Sequence, residues 1–321
     1  VYYSDNGSTA IEVALKMSLH YWLNKNEPKK QQLAFFNGSY HGDTIGAMSV
    51  SGVSQYNHVF RPLMFDAIGL PDPSVDEDRA LEELEQTLKS RASTMAAVII
   101  EPLLMGAGGM KITSANLLKE VRELTQQWNV HLISDEVASG FGRTGHLFAS
   151  NAAQITPDFM CLSKALTNGQ FPLAVTMTTT EVYNAFYGDF ESGKTFYHGH
   201  TFTANPLGCS IANATLQVIE NWDWKANVNK LHQKLDKGMI ELQTKYSCVS
   251  NPRSIGSVAA IDIKLPGKRA LFKLAQAGFN YNVIIRPLGN SIYLYLPLVT
   301  SMSECEDILL NIDQLLSESI V

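Results

Sequence analysis

Two charged residues at the ends of apolar segments are the first candidates for chemistry. Asp135 follows an apolar run at residues 130–133, and Lys164 follows another at 159–162. If both runs are neighbouring strands, the carboxylate and the amine face one pocket. A lysine can form a Schiff base with a pyridine-ring aldehyde cofactor, and a carboxylate keeps the ring nitrogen protonated so that the ring accepts electrons. Taken alone, a capped strand end beside a solvated lysine explains the pair more simply.

A helix start near the beginning of the chain is a candidate for binding phosphate. Gly7 and Ser8 open an amphipathic segment, where unpaired N–H groups would lie at the positive end of the helix dipole beside a hydroxyl. An ordinary capped helix has the same pattern. Residues 40–43 (YHGD) follow a predicted strand, and Tyr40 or His41 is suited to stack on a flat cofactor, although a buried structural tyrosine fits equally well.

Two further motifs have simpler interpretations than their patterns first indicate. Residues 140–145 (GFGRTG) match the dinucleotide-binding pattern G-x-G-x-x-G, but they open no helix, and Asp135 and Glu136 separate them from the strand. We therefore reject a Rossmann-type site. Residues 198–200 (HGH) lack a third ligand at a recognisable spacing, so we predict no metal site and interpret Thr201 as a phosphate-binding hydroxyl in a loop.

Arg286 is the candidate for recognising a substrate carboxylate. It ends an apolar run at residues 283–285, which we expect to be a strand paired near Tyr293. A guanidinium held by a strand can make two charge-assisted hydrogen bonds to a carboxylate. An arginine in a structural ion pair is the commoner case.

The segments that must position these residues alternate between extended and helical patterns. Buried strands are predicted at residues 33–36, 96–100, 130–133, 159–162 and 173–177. Apolar stripes at helical spacing are found at 11–22, 81–88 and 117–124. Strands separated by helices predict an α/β fold with a mostly parallel sheet, and such sheets bind ligands beyond the carboxyl ends of their strands.

The pattern changes after a helix that is predicted to begin at Pro206. A more charged helix at residues 225–246 follows. Further strands are predicted near 258–263, 283–285 and 292–296, before a closing helix. We therefore predict a large domain over residues 1–222 and a smaller α+β domain over 223–321.

Two helix starts in this pattern are predicted from capping boxes, in which a serine is followed three residues later by a glutamate. Ser74 and Glu77 form one such pair, and Ser303 and Glu306 form the other.

The composition of the 321 residues predicts a folded core, because 45% are hydrophobic and 17% are charged. The net charge of −6 and the absence of a basic block argue against a nucleic-acid partner. The apolar runs are strand-sized, so we predict no membrane span. Four widely spaced cysteines favour a reducing cytoplasm.

Together the motifs resemble the class III aminotransferases, which use pyridoxal 5′-phosphate and have the fold type I architecture. The resemblance rests on residues 40–50, 101–110, 135–145 and 285–287, and it extends over essentially the whole chain. The first and last of these segments favour the branch of the class that makes 7,8-diaminononanoate in biotin synthesis. That branch uses 8-amino-7-oxononanoate as the acceptor and, in the usual case, S-adenosylmethionine as the amine donor. The family also has an N-terminal segment that we expect to be missing here.

The resemblance implies a cofactor-binding role for several candidates. Lys164 would hold the cofactor through a Schiff base and then move a proton between the substrate and the cofactor. Asp135 would hold the pyridinium nitrogen, and Tyr40 would stack on the ring. Gly7 and Ser8 would bind the phosphate.

The resemblance also implies a cytoplasmic homodimer with shared active sites that acts on small-molecule substrates. Thr201, with His200 beside it, would reach the phosphate of the neighbouring subunit, while Arg286 and Tyr293 would bind the substrate. His200 stands where many members of this branch have proline, and Met105 stands where relatives often have glutamine. Both departures bear on the choice of amine donor.

Two alternatives stay open at this point. Another class III ω-aminotransferase would act on a diamine, β-alanine or a γ-amino acid, and Arg286 discriminates only in part because several of these substrates carry carboxylates. A non-catalytic homologue would keep only the fold. The presence of both Lys164 and Asp135 argues against that second alternative.

Overall fold

The computed structural model describes residues 1–267 and 269–319, which alternate between strands and helices over most of their length. The strands are β1 (Tyr2–Ser4), β2 (Gln32–Phe36), β3 (Ile68–Leu70), β4 (Met95–Ile100), β5 (Leu104–Met105), β6 (Lys111–Ile112), β7 (His131–Asp135), β8 (Phe159–Leu162), β9 (Ala174–Thr178), β10 (Val249–Ile255), β11 (Val258–Ile263) and β12 (Ser291–Tyr295). The helices are α1 (Gly7–Asn24), α2 (Ile45–Ser49), α3 (Ser54–Asn57), α4 (Glu77–Arg91), α5 (Ala115–Gln127), α6 (Ala149–Ala152), α7 (Thr180–Phe186), α8 (Pro206–Asn221), α9 (Trp224–Lys245), α10 (Ala270–Ala277) and α11 (Met302–Ser319). Short 3₁₀ helices are formed by His58–Leu63, Lys164–Thr167, Phe190–Ser192 and Gly278–Tyr281.

Contacts between residues divide the chain into two units. The first comprises Val1–Met105, Thr113–Phe141 and Phe148–Asn221. The second comprises Gly106–Ile112, Gly142–Leu147 and Trp222–Val321. Two short segments from the first half of the chain therefore belong with the C-terminal residues.

The first unit is built on a sheet whose strand order is β1-β9-β8-β7-β4-β2-β3. The strands from β8 to β3 run parallel, whereas β9 is antiparallel to β8 and to β1. The predicted α/β fold with a mostly parallel sheet is therefore confirmed. Each strand predicted from an apolar run in this part of the chain is present, with ends that differ by at most two residues.

Helices cover both faces of this sheet, which explains why its central strands are apolar throughout. Every residue of β4 is buried. On one face, α1 packs Ile11 and Ala14 against a cluster that includes Ile133 of β7. On the other face, α4 and α5 pack against a cluster that includes Val98 and Leu132. The packing on both faces therefore defines where the loops at the carboxyl ends of the strands begin.

The second unit contains the antiparallel sheet β10-β11-β12, against which α9 packs, and α11 packs on α9. Leu231 and Leu235 of α9 share its apolar core with Ile261 of β11 and Leu315 of α11. The α+β character predicted for this part of the chain is present.

Both predicted capping boxes are wrong, because the residues that cap these helices lie two positions away along the chain from the predicted serines. Helix α4 is capped by Asp76, whose Oδ1 accepts from the backbone N–H of Arg79 at 3.0 Å. The serine–glutamate box at the start of α11 lies two residues earlier than predicted, because Glu304 N donates to Ser301 Oγ at 3.2 Å and Ser301 N donates to Glu304 Oε2 at 2.8 Å. Serine–glutamate spacing recurs there, so the pattern alone does not select the register.

Residues 283–285 do not form the predicted strand. Val283 N donates to the carbonyl of Gly278 rather than to a neighbouring strand, and Pro287 has no N–H to donate. Ile284 is 84% exposed. The partner of β12 is β11, where Tyr293 pairs with Ala260. Arg286 therefore lies on an irregular extended segment, without the strand pairing near Tyr293 that we expected.

Candidate active site

Two neighbouring strand ends bring Asp135 and Lys164 to one edge of the sheet. Strands β7 and β8 are parallel neighbours, with Asp135 in register with Cys161. Lys164 follows three residues later. The backbone N–H of Glu136 donates to the carbonyl of Cys161 at 3.0 Å, which ties the two strand ends together. The condition on which the sequence interpretation depended, that these strands adjoin, is therefore met.

The carboxylate of Asp135 is buried and held in a fixed orientation. Its Oδ2 lies 2.7 Å from His41 Nδ1, and its Oδ1 accepts from the backbone N–H of Val137 at 3.1 Å. An ionised carboxylate only accepts hydrogen bonds, so His41 donates through Nδ1. His41 Nε2 is buried and has no hydrogen-bond partner among the described residues.

The sequence did not reveal this partnership. From the sequence, His41 is suited only to stack on a cofactor, and it is 94 residues from Asp135 along the chain. In the sheet, β4 lies between β2 and β7, and the loop after β2 crosses the end of β4 to reach the end of β7. A histidine directly beside the candidate Tyr40 was the only local signal.

Tyr40 lies half-buried in the loop after β2. Its hydroxyl donates to Asp43 Oδ1 at 2.7 Å, and its backbone N–H donates to Glu101 Oε1 at 2.7 Å. Tyr56 packs edge-on, with ring centroids 5.6 Å apart. Burial raises the pKa of Tyr40, and the hydrogen bond to Asp43 raises it further, so its ring stays neutral.

The start of α1 offers backbone N–H groups to an anion. Asn6 caps the helix by accepting from Thr9 N at 3.0 Å, whereas the first-turn N–H groups of Gly7 and Ser8 have no acceptor inside the helix. A Cβ on Gly7 would lie 2.8 Å from Val137 Cγ1. The helix start therefore approaches the segment after Asp135 closely because residue 7 is a glycine.

The Tyr40 loop is packed directly onto this helix start. Gly42 has φ +129°, and a Cβ there would lie 2.1 Å from Ser8 Oγ, so only glycine fits. Asp43 N donates to Ser8 Oγ at 3.2 Å. One turn further along α1, Glu12 Oε1 accepts from Gly46 N at 2.7 Å. The loop that contains the candidate ring-stacking residue is thus in direct contact with the helix start that is the candidate phosphate-binding site.

Lys164 has an uncommon backbone conformation. Its φ is +42°, in the left-handed region that non-glycine residues rarely adopt, and its side chain is exposed. Ser163 Oγ donates to the carbonyl of Leu173 at 2.9 Å, which holds the turn in place. Such strain is found preferentially at functional sites.

Glu136, next to Asp135, has a structural environment. It is fully buried and accepts from Ala149 N at 2.6 Å, Ser150 N at 2.8 Å and Ser150 Oγ at 2.6 Å. Burial raises the pKa of Glu136, and these hydrogen bonds oppose the rise. Through these hydrogen bonds, the Glu136 carboxylate joins the two ends of the chain segment formed by residues 137–148.

His200 and Thr201 lie in the segment that leads into α8. His200 Nε2 is 4.0 Å from Asp5 Oδ1, so this residue approaches the beginning of α1 within its own chain. Thr201 is exposed. Within one chain, therefore, the structure brings His200, but not the hydroxyl of Thr201, into contact with residues next to the candidate phosphate site.

Arg286 and Tyr293 belong to the second unit. Arg286 is exposed, and no ion pair or hydrogen bond of its side chain is found within residues 1–267 and 269–319. Its guanidinium is thus available to a carboxylate ligand. Tyr293 is half-buried in β12. Met105, in the first unit, is buried.

Searches of the described residues for other functional classes gave two results. No group of three or more His, Cys, Asp or Glu side chains in this part of the chain is arranged to hold a metal ion. None of its helices has both the length and the apolar composition needed to cross a bilayer.

Comparison with known proteins places these residues in a family context. The family model described as Aminotransferase class-III matches residues 1–316. A Geobacter sulfurreducens protein named adenosylmethionine-8-amino-7-oxononanoate aminotransferase is 42% identical over 95% of this chain and 72% of its own length. A protein of the same name from Synechococcus elongatus is 42% identical over 99% of this chain and 76% of its own length.

Solved structures agree with these sequence matches. The crystal structure of an adenosylmethionine-8-amino-7-oxononanoate aminotransferase from Methanocaldococcus jannaschii has a TM-score of 0.94 and 32% identity, and covers 100% of this chain and 75% of that one. An amine transaminase from an uncultivated Pseudomonas species, in its PLP-bound form, has a TM-score of 0.92 and 29% identity, with coverage of 99% and 76%.

Proposed function

Because this chain belongs to the class III aminotransferases, we propose that it transfers an amino group from S-adenosylmethionine to 8-amino-7-oxononanoate. The ketone of the acceptor becomes an amine, which gives the 7,8-diaminononanoate of biotin synthesis. As a member of this class, the chain is a pyridoxal 5′-phosphate enzyme. The observation that carries the proposal is the buried Asp135 beside the strand end that bears Lys164.

The residues at this edge fit pyridoxal 5′-phosphate on the chemistry of their donors and acceptors. Asp135 is buried, yet among the described residues neither lysine nor arginine pairs with it. A buried carboxylate needs a strong donor, and a protonated pyridine nitrogen is one. The free N–H groups of Gly7 and Ser8 suit a phosphate dianion.

When bound, the cofactor supplies an aldehyde that condenses with amines and a ring that accepts electrons from the substrate carbon. Asp135 would keep the ring nitrogen protonated by direct charge attraction. His41 donates to the other carboxylate oxygen and so orients the charge. Because Asp135 and His41 are buried, water would screen this attraction weakly.

Lys164 would hold the cofactor and then move a proton to or from the reacting carbon of the substrate. Its left-handed backbone projects the side chain from the strand end, and its amine has no partner among the described residues. Tyr40 would pack against the flat ring. Its hydrogen bond to Asp43 fixes the phenol for that contact.

Arg286 would bind the carboxylate of the oxononanoate, and Tyr293 would contribute to the substrate site. We expect Arg286→Ala to lower kcat/KM for this acceptor by about 30-fold or more, since a desolvated arginine–carboxylate pair contributes roughly 2 to 5 kcal/mol. Steady-state kinetics with the free acid and its methyl ester measures the effect, which should be small for the ester.

Arg79→Ala is a matched control, because Arg79 is an exposed arginine of α4. It should leave both substrates unaffected. Equal loss with acid and ester in Arg286→Ala would mean that Arg286 supports the structure and does not bind substrate.

We infer that the protein is a homodimer in the cytoplasm, a location favoured by its four unpaired cysteines. Five large aromatic side chains between residues 183 and 202 are 59% to 77% exposed: Tyr183, Tyr187, Phe190, Tyr197 and Phe202. Exposed apolar area of this extent is typical of an interface. Thr201 lies within this surface, with His200 beside it, and would reach the phosphate of the partner's cofactor.

Mixing two inactive variants tests the shared site. Lys164→Ala subunits are refolded with subunits that carry Thr201→Trp, which blocks the phosphate contact. Each heterodimer would contain one doubly defective site and one intact site, so random pairing should restore about a quarter of wild-type activity. Heterodimers that are confirmed by mass measurement but stay inactive would place Lys164 and Thr201 in the same subunit's site, or Thr201 away from the phosphate.

The experiment that tests the function is an assay of the full chain with 8-amino-7-oxononanoate and a panel of amine donors. Formation of 7,8-diaminononanoate with S-adenosylmethionine is the expected result. Formation of this product only with another amine would show that the donor is not S-adenosylmethionine. Substitution of Met105 by glutamine and of His200 by proline would then test whether these two residues determine the choice of donor. Amination of other ketones without activity on the oxononanoate would contradict the proposal.

A further inference from the structure

A strap of extended chain, residues 194–201, carries Thr201 along the outside of α1. Its residues alternate between half-buried and exposed, so that Phe196 and His198 face inward while Tyr197 is exposed. Asn24 Nδ2, at the end of α1, donates to the carbonyl of Lys194 at 3.4 Å. The strap is therefore held through side chains.

His198 makes the closest contacts between the strap and the helix. Lys16 Nζ of α1 lies 2.8 Å from His198 Nδ1, and the Tyr2 hydroxyl of β1 donates to the His198 carbonyl. The His198 ring stacks on Phe196, with centroids 5.8 Å apart and planes 14° apart. Phe196 in turn packs edge-on against Tyr2. We call the contact of His198 with Lys16 the anchor of the strap. It lies three residues before Thr201.

The contact between Lys16 and His198 requires a neutral imidazole. A lysine ammonium can only donate hydrogen bonds, so Nδ1 must accept and any ring proton is on Nε2. Protonation of His198 would remove the acceptor and place two cations at hydrogen-bond distance.

We propose that His198 is a positioning residue, which holds the strap on α1 while it is neutral and releases Thr201 when it is protonated. The inference rests on the proposed function, in which Thr201 completes the partner's phosphate site. A released strap would weaken cofactor binding without any change at Asp135 or Lys164.

The groups that face His198 determine the direction of the pH effect. Burial lowers the pKa of His198 from its ordinary value of 6.5, and electrostatic interactions with Lys16 and His200 lower it further, whereas Glu12 opposes the shift. The tyrosine of β1, Tyr2, is neutral at these pH values, since burial raises its pKa. The anchored state therefore binds the proton less readily than the released state, and the anchor weakens as the pH falls below 6.5.

Cofactor release from the full-length holoenzyme, followed by absorbance at about pH 7.5 and about pH 5.5, measures this effect. We expect acidification to speed release by roughly tenfold in the wild type. His198→Asn places an oxygen acceptor near the Nδ1 position and cannot be protonated, so its release should change little with pH. His198→Phe keeps the stacked ring but loses the acceptor, so its release should be fast at both pH values.

Two further variants isolate the contact. Lys16→Met removes the second cation and should reduce the acid sensitivity. His232→Asn replaces a half-buried histidine of α9 in the second unit and should behave as the wild type. Acid sensitivity that persists in His198→Asn, or slow release in His198→Phe at neutral pH, would overturn the proposal.

Nitrogen NMR of labelled histidines separates failure of this inference from failure of the proposed site. A His198 ring without a proton on Nδ1 at neutral pH is expected, and a proton on Nδ1 would show that the anchor is wrong. If the ring has the expected tautomer but Thr201→Val releases cofactor as slowly as the wild type, the anchor exists and the role of Thr201 is wrong.

Discussion

Lys164→Ala should lower kcat/KM for amino transfer by about ten-thousand-fold or more. The substitution removes both the amine that holds the cofactor and the group that moves the proton at the reacting carbon, and each effect alone can contribute several orders of magnitude. Steady-state formation of 7,8-diaminononanoate measures the loss. The fold should be unaffected, since Lys164 is exposed and makes no side-chain contact among the described residues.

Lys119→Ala is the matched control, because Lys119 is an exposed lysine of α5 that forms a surface ion pair with Glu123 at 3.8 Å. It should keep wild-type activity. Thermal unfolding of both variants near the wild-type midpoint would show that the loss is chemical. Activity within tenfold of wild type in Lys164→Ala would remove Lys164 from the mechanism.

Asp135→Asn should slow both half-reactions by about a thousandfold while cofactor still binds. Asparagine has nearly the shape of aspartate, so the hydrogen bonds with His41 and Val137 can be partly retained, but the charge that keeps the ring nitrogen protonated is lost. Single-turnover kinetics at saturating cofactor separates each half-reaction from binding.

Titration of the apoenzyme with cofactor is the control for this variant. A loss confined to cofactor affinity, with near-normal turnover at saturation, would mean that Asp135 only positions the cofactor. A loss of turnover with little change in affinity is the expected outcome.

Much of the first unit was predictable because most of its strands are nearly continuous apolar runs. The run before Asp135 and the run before Lys164 are each long enough for one strand, and parallel strands present their carboxyl ends at the same edge. That reasoning places the two residues in one pocket on the condition that their strands adjoin, and the parallel pairing of β7 with β8 meets this condition.

Contacts that depend on tertiary structure were not predictable from local patterns. His41 follows β2, and Asp135 ends β7. The two residues can meet because only one strand, β4, lies between β2 and β7 in the sheet. Arg286 was placed on a strand from the apolar character of the three residues before it, but Pro287 and the hydrogen bond of Val283 to Gly278 end that possibility. An apolar run does not show where its hydrogen bonds go.

The composition of the second unit shows the same limit. Residues 106–112 and 142–147 belong to it, and arginine side chains join both segments to the C-terminal residues. Arg253 donates to the carbonyls of Gly109 at 2.6 Å and Met110 at 3.0 Å. Arg143 donates to Ser257 Oγ at 2.7 Å. Division of the chain at one point cannot represent an arrangement in which earlier segments return to the C-terminal unit.

Peptide mapping after borohydride reduction tests the central claim most directly. Reduction of the full-length holoenzyme fixes the cofactor to the amine that holds it, and mass spectrometry of the digest then identifies that amine. The account predicts a pyridoxyl group on Lys164, at the strand end next to Asp135. A pyridoxyl group on any other lysine, with Lys164 unmodified, would contradict it.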